Sequence, residues 1–186
     1  MDQALVVRAQ NGDQRAFETL AATAYPRLYR LAHGILRDGA MADDATQQAL
    51  VSIWRNLPRL REPARFEGWS TRLLVNACHD QVRRAPKWTS TDTLDAREPV
   101  ARDVIGPVSE RAALEQALSQ LSFDHRTVLA MRYLLDLTAD EIADALDIPR
   151  KTVYSRLKRA TAAMRGVVEA EARSTLSRAV PSEANR

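Results

Sequence analysis

Residues 138–164 read TADEIADALDIPRKTVYSRLKRATAAM, and this stretch decides the fold. Thr138 and Glu141 have the spacing of a capping box. The hydroxyl accepts from a free amide of the first turn while the carboxylate returns to the amide of the cap. Ile142, Ala143 and Leu146 then fall on one inward face of a short helix. Asp147-Ile148-Pro149 turns the chain, with Ile148 placed to plug the corner. Pro149 lacks an amide hydrogen and suits a helix start. Val153, Leu157 and Ala160 form the inner stripe of the helix that follows, and Arg150, Lys151, Thr152, Tyr154, Ser155, Lys158 and Arg159 lie opposite. This is a helix-turn-helix pattern.

Charge is sorted across it. From Pro149 to Arg165 there are six Arg or Lys residues and no acid, whereas Asp136 to Asp147 holds five acids and no base. One helix is therefore electropositive while its neighbour faces solvent or a protein. A helix of this width fits the major groove of B-form DNA and reaches base edges with its amino-terminal end. Arg150, Lys151, Thr152, Ser155 and Arg156 stand near that end, while Lys158 and Arg159 are positioned for phosphates. A merely solubilising face is the plain alternative; the cap, the turn and the one-sided charge together argue against it.

Working outward, helical periodicity dominates and strand signals are nearly absent. From Ala42 to Trp54, the residues Ala42, Ala45, Ala49, Leu50, Ile53 and Trp54 form a stripe beside Asp43, Asp44, Gln47, Gln48 and Ser52. Breaks at Asn11-Gly12, Asp38-Gly39 and Pro58 to Pro63 predict helices over 2–10, 13–36, 40–57 and 66–84, with Asp13 capping the second. Residues 86–109 carry three prolines and many Ser, Thr and Asp residues, so they read as a linker, with Trp88 inside it. Periodicity returns with helices expected over 110–119, 124–134, 139–146 and 150–165. Residues 166–186 begin helically and end in a frayed tail. The expected fold is all-α: two small helical domains, 1–85 and 110–165, joined by the 86–109 linker, with the helix-turn-helix in the second.

Bulk properties limit the function. The 186 residues are 45% hydrophobic with a formal net charge of only +3, so the placement of charge says more than its sum. Cys78 is the single cysteine, which excludes an intrachain disulfide and a cysteine-based zinc cluster. His33, His79 and His125 are far apart; Cys78 and His79, as helical neighbours, point about 100 degrees apart and seldom share a metal. Cys78 is expected to face inward as a small apolar residue, and Phe66 and Trp69 to be core. The segment MDQALVVRAQNGD has no signal-peptide core, and charges interrupt every apolar run short of a membrane span. A cytoplasmic location without membrane insertion is expected. No phosphate loop, nucleophile elbow or metal-ligand spacing suggests an enzyme, a cofactor or a metal.

The chain resembles bacterial RNA polymerase sigma factors of the small, alternative, extracytoplasmic-function group. Three stretches carry the resemblance: ADDATQQALVSIW at 42–54, FEGWSTRLLVNACHDQVRR at 66–84, and 118–165 including QLSFDHRTVLAMRYLLDLTADEIA. The resemblance implies a factor that binds core polymerase, recognises −35 and −10 promoter elements and promotes opening. It places Asp43, Asp44, Gln47, Gln48 and Trp54 where the family meets a coiled coil of the largest catalytic subunit. The polar members of that group can also pair with arginines. Asn76, Asp80, Arg83 and Arg84 share a helical sector and fall in the helix that reads and melts the −10 element. Arg59, Arg61 and Arg65 make the preceding specificity loop basic. Arg150, Lys151, Thr152, Tyr154, Ser155, Arg156, Lys158 and Arg159 match the −35 reader. The family is commonly held inactive by an anti-sigma factor, so such a partner is expected beside core polymerase and promoter DNA.

This sequence departs from the common family pattern in places. Asp43-Asp44 replaces a Glu-Asp pair, Gln48 and Leu50 replace an acidic-then-aromatic ending, and Asp147 occupies a turn where glycine is more usual. Aspartate tolerates the left-handed conformation, so the turn is feasible. A helix-turn-helix regulator with an amino-terminal sensing or dimerisation domain explains 118–165 equally well, but it does not explain Asn76 to Arg84.

Overall fold

The computed structural model describes residues 1–84, 114–115 and 117–179, with residues 167–179 as helical backbone only. The region expected as a linker, with Trp88, and the end of the expected tail lie outside the described residues.

Four helices build the first unit: α1 (Gln3–Gln10), α2 (Gln14–Leu36), α3 (Gly39–Asn56) and α4 (Phe66–Arg84). Each of the first three opens on an aspartate whose carboxylate accepts a free first-turn amide: Asp2 from Ala4 N, Asp13 from Ala16 N and Asp38 from Met41 N. Gly12, at φ +88°, makes the corner between α1 and α2, a conformation that favours glycine. The core is drawn from one stripe per helix. Leu20, Leu28, Leu31 and Ile35 of α2 are buried with Ile53 of α3 and with Phe66 and Leu74 of α4. Phe66 is core as expected, while Trp69 is half-buried beside it, ring centroids 6.1 Å apart.

The second unit holds α5 (Phe123–Leu134), α6 (Ala139–Leu146) and α7 (Arg150–Ala179), with residues 114–115 and 117–119 helical before them. The last helix runs well past the expected end at 165. Leu121, Leu129 and Ala160 make a small cluster of their own. Val128, Met131, Ile142 and Val153 instead join the core that begins in the first unit. The two units are therefore docked, α5 against α2 and α6 against α4. None of the described helices is long and apolar enough to cross a membrane.

Candidate nucleic-acid interface

The helix-turn-helix is built by local chemistry. Thr138 N donates to Glu141 Oε2 at 2.8 Å, and Glu141 N donates back to Thr138 Oγ1 at 3.3 Å. The bond from Thr138 N, joined by one from the Thr138 hydroxyl to the same oxygen at 2.8 Å, favours the charged carboxylate and holds Glu141 below its ordinary pKa. Asp147 ends α6 in the left-handed region at φ 55°, the conformation that its side chain was expected to tolerate. Val153 and Ala160 are fully buried, which rotates the opposite face of α7 outward.

On that face Lys151, Tyr154, Ser155, Lys158 and Arg159 are exposed, and Thr152 is half-buried. Two arginines are not free. Arg150 Nε lies 3.0 Å from Asp140 Oδ1, and its guanidinium donates to the Tyr154 hydroxyl and sits 5.5 Å from that ring's centroid. Arg156 lies 2.6 Å from Asp124. The sorting of charge along the sequence is thus partly cancelled in space, because the amino-terminal ends of α5 and α6 bring acids to α7.

In α4, Asn76, Arg83 and Arg84 are exposed and Asp80 is half-buried. Asp80 pairs weakly with Arg83 at 3.7 Å. The preceding loop is more ordered than its prolines suggested, with 3-10 turns at Leu57–Arg59 and Pro63–Arg65. Gln10 holds it, its side-chain amide donating to the carbonyls of Leu57 and Leu60 at 3.1 and 2.7 Å. Arg59 and Arg61 are exposed, while Arg65 pairs with Glu62 at 2.7 Å.

Sequence reasoning missed Arg27. Its guanidinium donates to Thr71 Oγ1 at 3.0 Å, Ser70 Oγ at 2.9 Å and the carbonyl of Glu67, pinning α4 to α2. Burial lowers its pKa. Nothing in the spacing marks it, since its partners lie 40 to 44 residues away.

The polar face of α3 carries exposed Asp44 and Gln47 with half-buried Gln48. Asp43 accepts from the Tyr25 hydroxyl and from Gln47 Nε2. The bond to Asp43 pushes Tyr25 up to about 12. Trp54 is 46% exposed and meets Phe17 edge-on at 4.5 Å, so it is half core and half surface. Val51, 48% exposed beside it, was not singled out from the sequence although it stands off the inward stripe. Cys78 is fully buried as expected, and burial pushes its thiol up to about 12.

Two family models match: sigma-70 region 2 over residues 20–87 and sigma-70 region 4 over residues 111–164. Fold and matches together define a two-domain initiation factor of the sigma-70 type. Among relatives, the ECF RNA polymerase sigma factor SigM of Mycobacterium tuberculosis is 34% identical over 161 residues, covering 87% of this chain and 81% of its own. The ECF RNA polymerase sigma-E factor of Escherichia coli K12 is 30% identical, with 90% and 94% covered. Among solved structures, CnrH in complex with the cytosolic domain of CnrY superposes with a TM-score of 0.69 at 25% identity, covering 91% of this chain and 97% of that one. The sigma factor RpoE of Bartonella quintana, bound to the anti-sigma factor NepR, gives 0.65 at 18% identity, with 82% and 96% covered, and likewise supports the fold. The chain belongs to the ECF RNA polymerase sigma factors. It is an initiation factor of transcription rather than an enzyme.

Proposed function

We propose that the labour of this sigma factor divides by domain. Residues 1–85 dock on core polymerase and hold the opened −10 element, and residues 110–165 grip the −35 duplex. The observation that carries this is the capped helix-turn-helix presenting Lys151, Ser155, Lys158 and Arg159 on one exposed face. Lys151 and Ser155 stand nearest base edges, with Thr152, Tyr154, Arg150 and Arg156 around them. Lys158 and Arg159 meet phosphates. Arg150 and Arg156 exchange Asp140 and Asp124 for DNA on binding. Asn76, Asp80, Arg83 and Arg84, with loop residues Arg59, Arg61 and Arg65, contact the separated strand. Capture of exposed bases there offsets the few kcal/mol of unstacking. Asp43, Asp44, Gln47, Gln48 and Trp54 form the docking face for the polymerase coiled coil.

Tethering both domains to one polymerase raises the effective concentration of the second promoter contact. The anti-sigma complex of a structural relative supports a similar inhibitor for this chain, and the setting is cytoplasmic. The test is reconstitution with core polymerase on a random promoter library. Two enriched elements at fixed separation are expected. Substitutions at Asn76 or Asp80 should shift the downstream element and those at Lys151 the upstream one. A uniform loss from both sets would overturn the division.

A further inference from the structure

We infer that Gln10, the last residue of α1, is a positioning residue for base choice at the −10 element, acting through the loop between α3 and α4; this rests on the strand contact proposed for Arg59 and Arg61. Those two arginines are exposed on either side of half-buried Leu60. Leu57 is buried and Leu60 packs against the same core, so the two leucines anchor this segment while the arginines leave it. Three hydrogen bonds close the turn between the anchors. Leu60 N donates to the carbonyl of Leu57 at 3.0 Å. The Gln10 side-chain amide donates to that same carbonyl at 3.1 Å and to the carbonyl of Leu60 at 2.7 Å. The bond to Leu60 fixes the planar peptide from which Arg61 departs.

Gln10 is itself held in place. It ends α1 at a corner where Arg8 pairs with Asp13 at 2.6 Å and Asp13 N donates to the carbonyl of Arg8. One nitrogen with two hydrogens serves both loop carbonyls; a glutamate of the same size donates nothing, and neither does methionine. The far half of the loop has its own fastening. Arg65 N donates to the carbonyl of Glu62 at 2.9 Å, and the Arg65 guanidinium pairs with the Glu62 carboxylate at 2.7 Å. Gln10 therefore governs the half that carries Arg59 and Arg61. Its effect falls on choice more than on affinity. A guanidinium on a phosphate tolerates a shift of the loop, whereas a donor aimed at one base edge discriminates only while its backbone is held.

The test takes the full chain as wild type, Gln10→Met, Gln10→Glu and Gln10→Lys, each with core polymerase on the random promoter library. Lysine keeps a head that can donate to two carbonyls. In Gln10→Met and Gln10→Glu the preference for the best base over the next at the downstream element should fall about tenfold, within the usual cost of a mismatch. The upstream preference and the affinity for core polymerase should not change, and Gln10→Lys should keep most of the wild-type preference. Amide hydrogen exchange reads the tie without polymerase. Exchange at Leu60 should rise about tenfold in Gln10→Met, while the amides of Leu28 and Leu31 in the α2 core keep their wild-type rates. An unchanged downstream preference, an equal loss at both elements, or a Gln10→Lys as flat as Gln10→Met overturns the inference. Faster exchange at Leu28 and Leu31 as well makes Gln10 a general brace of the first unit and also overturns it. Arg59→Ala and Arg61→Ala in the same library test the loop itself. If both leave the downstream preference unchanged, the proposed strand contact fails; if they alter it and the Gln10 variants do not, only the role of Gln10 falls.

Discussion

Arg126 caps a helix that is not its own. Its Nε donates at 2.7 Å to the carbonyl of Ile35, one of the last carbonyls of α2, where a helix has no internal donor and the macrodipole favours a cation. A second donor, Nη1, satisfies the carbonyl of Leu121 at 2.8 Å. One side chain thus ties the end of α2 to the start of the second unit, although 91 residues separate Arg126 from Ile35.

Arg126→Met keeps the length of the side chain and removes both bonds. A loss of about 1.5–3 kcal/mol is expected, the range for hydrogen bonds from a charged donor. Urea denaturation of the full chain measures it. A change under about 0.5 kcal/mol, typical of an exposed position without partners, would show that the tie contributes nothing.

The capping box gives a prediction with a pH signature. Thr138→Ala removes the acceptor for Glu141 N and the hydroxyl donor to Glu141 Oε2, at a cost of about 1 kcal/mol near neutral pH. The folded pKa of Glu141 is depressed. Its contribution is therefore present above the unfolded pKa and is lost as pH falls through the folded value. The penalty of Thr138→Ala should accordingly shrink on the acid side of the carboxylate range, about pH 3 and below, without vanishing, because the bond from the Glu141 amide does not depend on the carboxylate. Paired denaturation curves at the two pH values decide this; an equal penalty at both would show that Glu141 takes no part.

What was legible in the sequence is what is made locally. The Thr138–Glu141 cap, the Asp13 cap and the left-handed Asp147 all depend on residues within one turn, and the structure contains each of them. The helices expected over 40–57 and 66–84 form at nearly those bounds, and the one expected over 150–165 starts where expected but runs on to Ala179. The ties that fix one element on another were not legible. Arg27 to Thr71, Gln10 to Leu60, Arg72 to Asp147 and Arg126 to Ile35 join positions 44 to 91 residues apart, and a polar residue on a helix carries no periodic mark of a distant carbonyl. For the same reason the expectation of two joined domains held no information about their docking, nor about Asp124 and Asp140 reaching Arg156 and Arg150.

On the exposed face of α7, position along the helix sets the kind of loss. Lys151 stands in the first turn, which is proposed to face base edges, and Lys158 two turns later, where contact with phosphates is proposed. Lys151→Ala should cost roughly 1–3 kcal/mol on the preferred −35 element and little on a scrambled one. Lys158→Ala should weaken both duplexes alike and lower the salt slope of binding by about one ion. Titrations of holoenzyme on the two duplexes across a salt series separate these outcomes, and identical behaviour of the two variants would remove the distinction.

Burial protects the Cys78 thiol. With its pKa pushed up to about 12, the thiolate that reacts with disulfide reagents is scarce at pH 8, and the side chain has no exposed surface. Reaction with an aromatic disulfide reagent should be at least about a hundredfold slower in the folded chain than in denaturant. Comparable rates would place Cys78 on an accessible surface and contradict the packing of α4 on the core.

The paired aspartates of α3 should not be equivalent in polymerase docking. Asp43 is already engaged by the Tyr25 hydroxyl and by Gln47, so a partner arginine must compete with those bonds. Asp44 is exposed, and no hydrogen bond or ion pair engages it among the described residues. It can give its whole charge to a partner. Asp44→Ala should therefore weaken core binding about tenfold or more, in line with a charged hydrogen bond of 1.5–3 kcal/mol, whereas Asp43→Asn should cost less. Tyr25→Phe removes the competing hydroxyl while leaving the ring packed against Tyr29, 6.0 Å away. If Asp43 also faces the polymerase, that variant should bind core at least as tightly as wild type. Fluorescence anisotropy of labelled chain titrated with core polymerase ranks the four proteins. Equal losses at Asp43 and Asp44, with a further loss in Tyr25→Phe, would mean that the Tyr25–Asp43 bond shapes the docking face instead of competing with it.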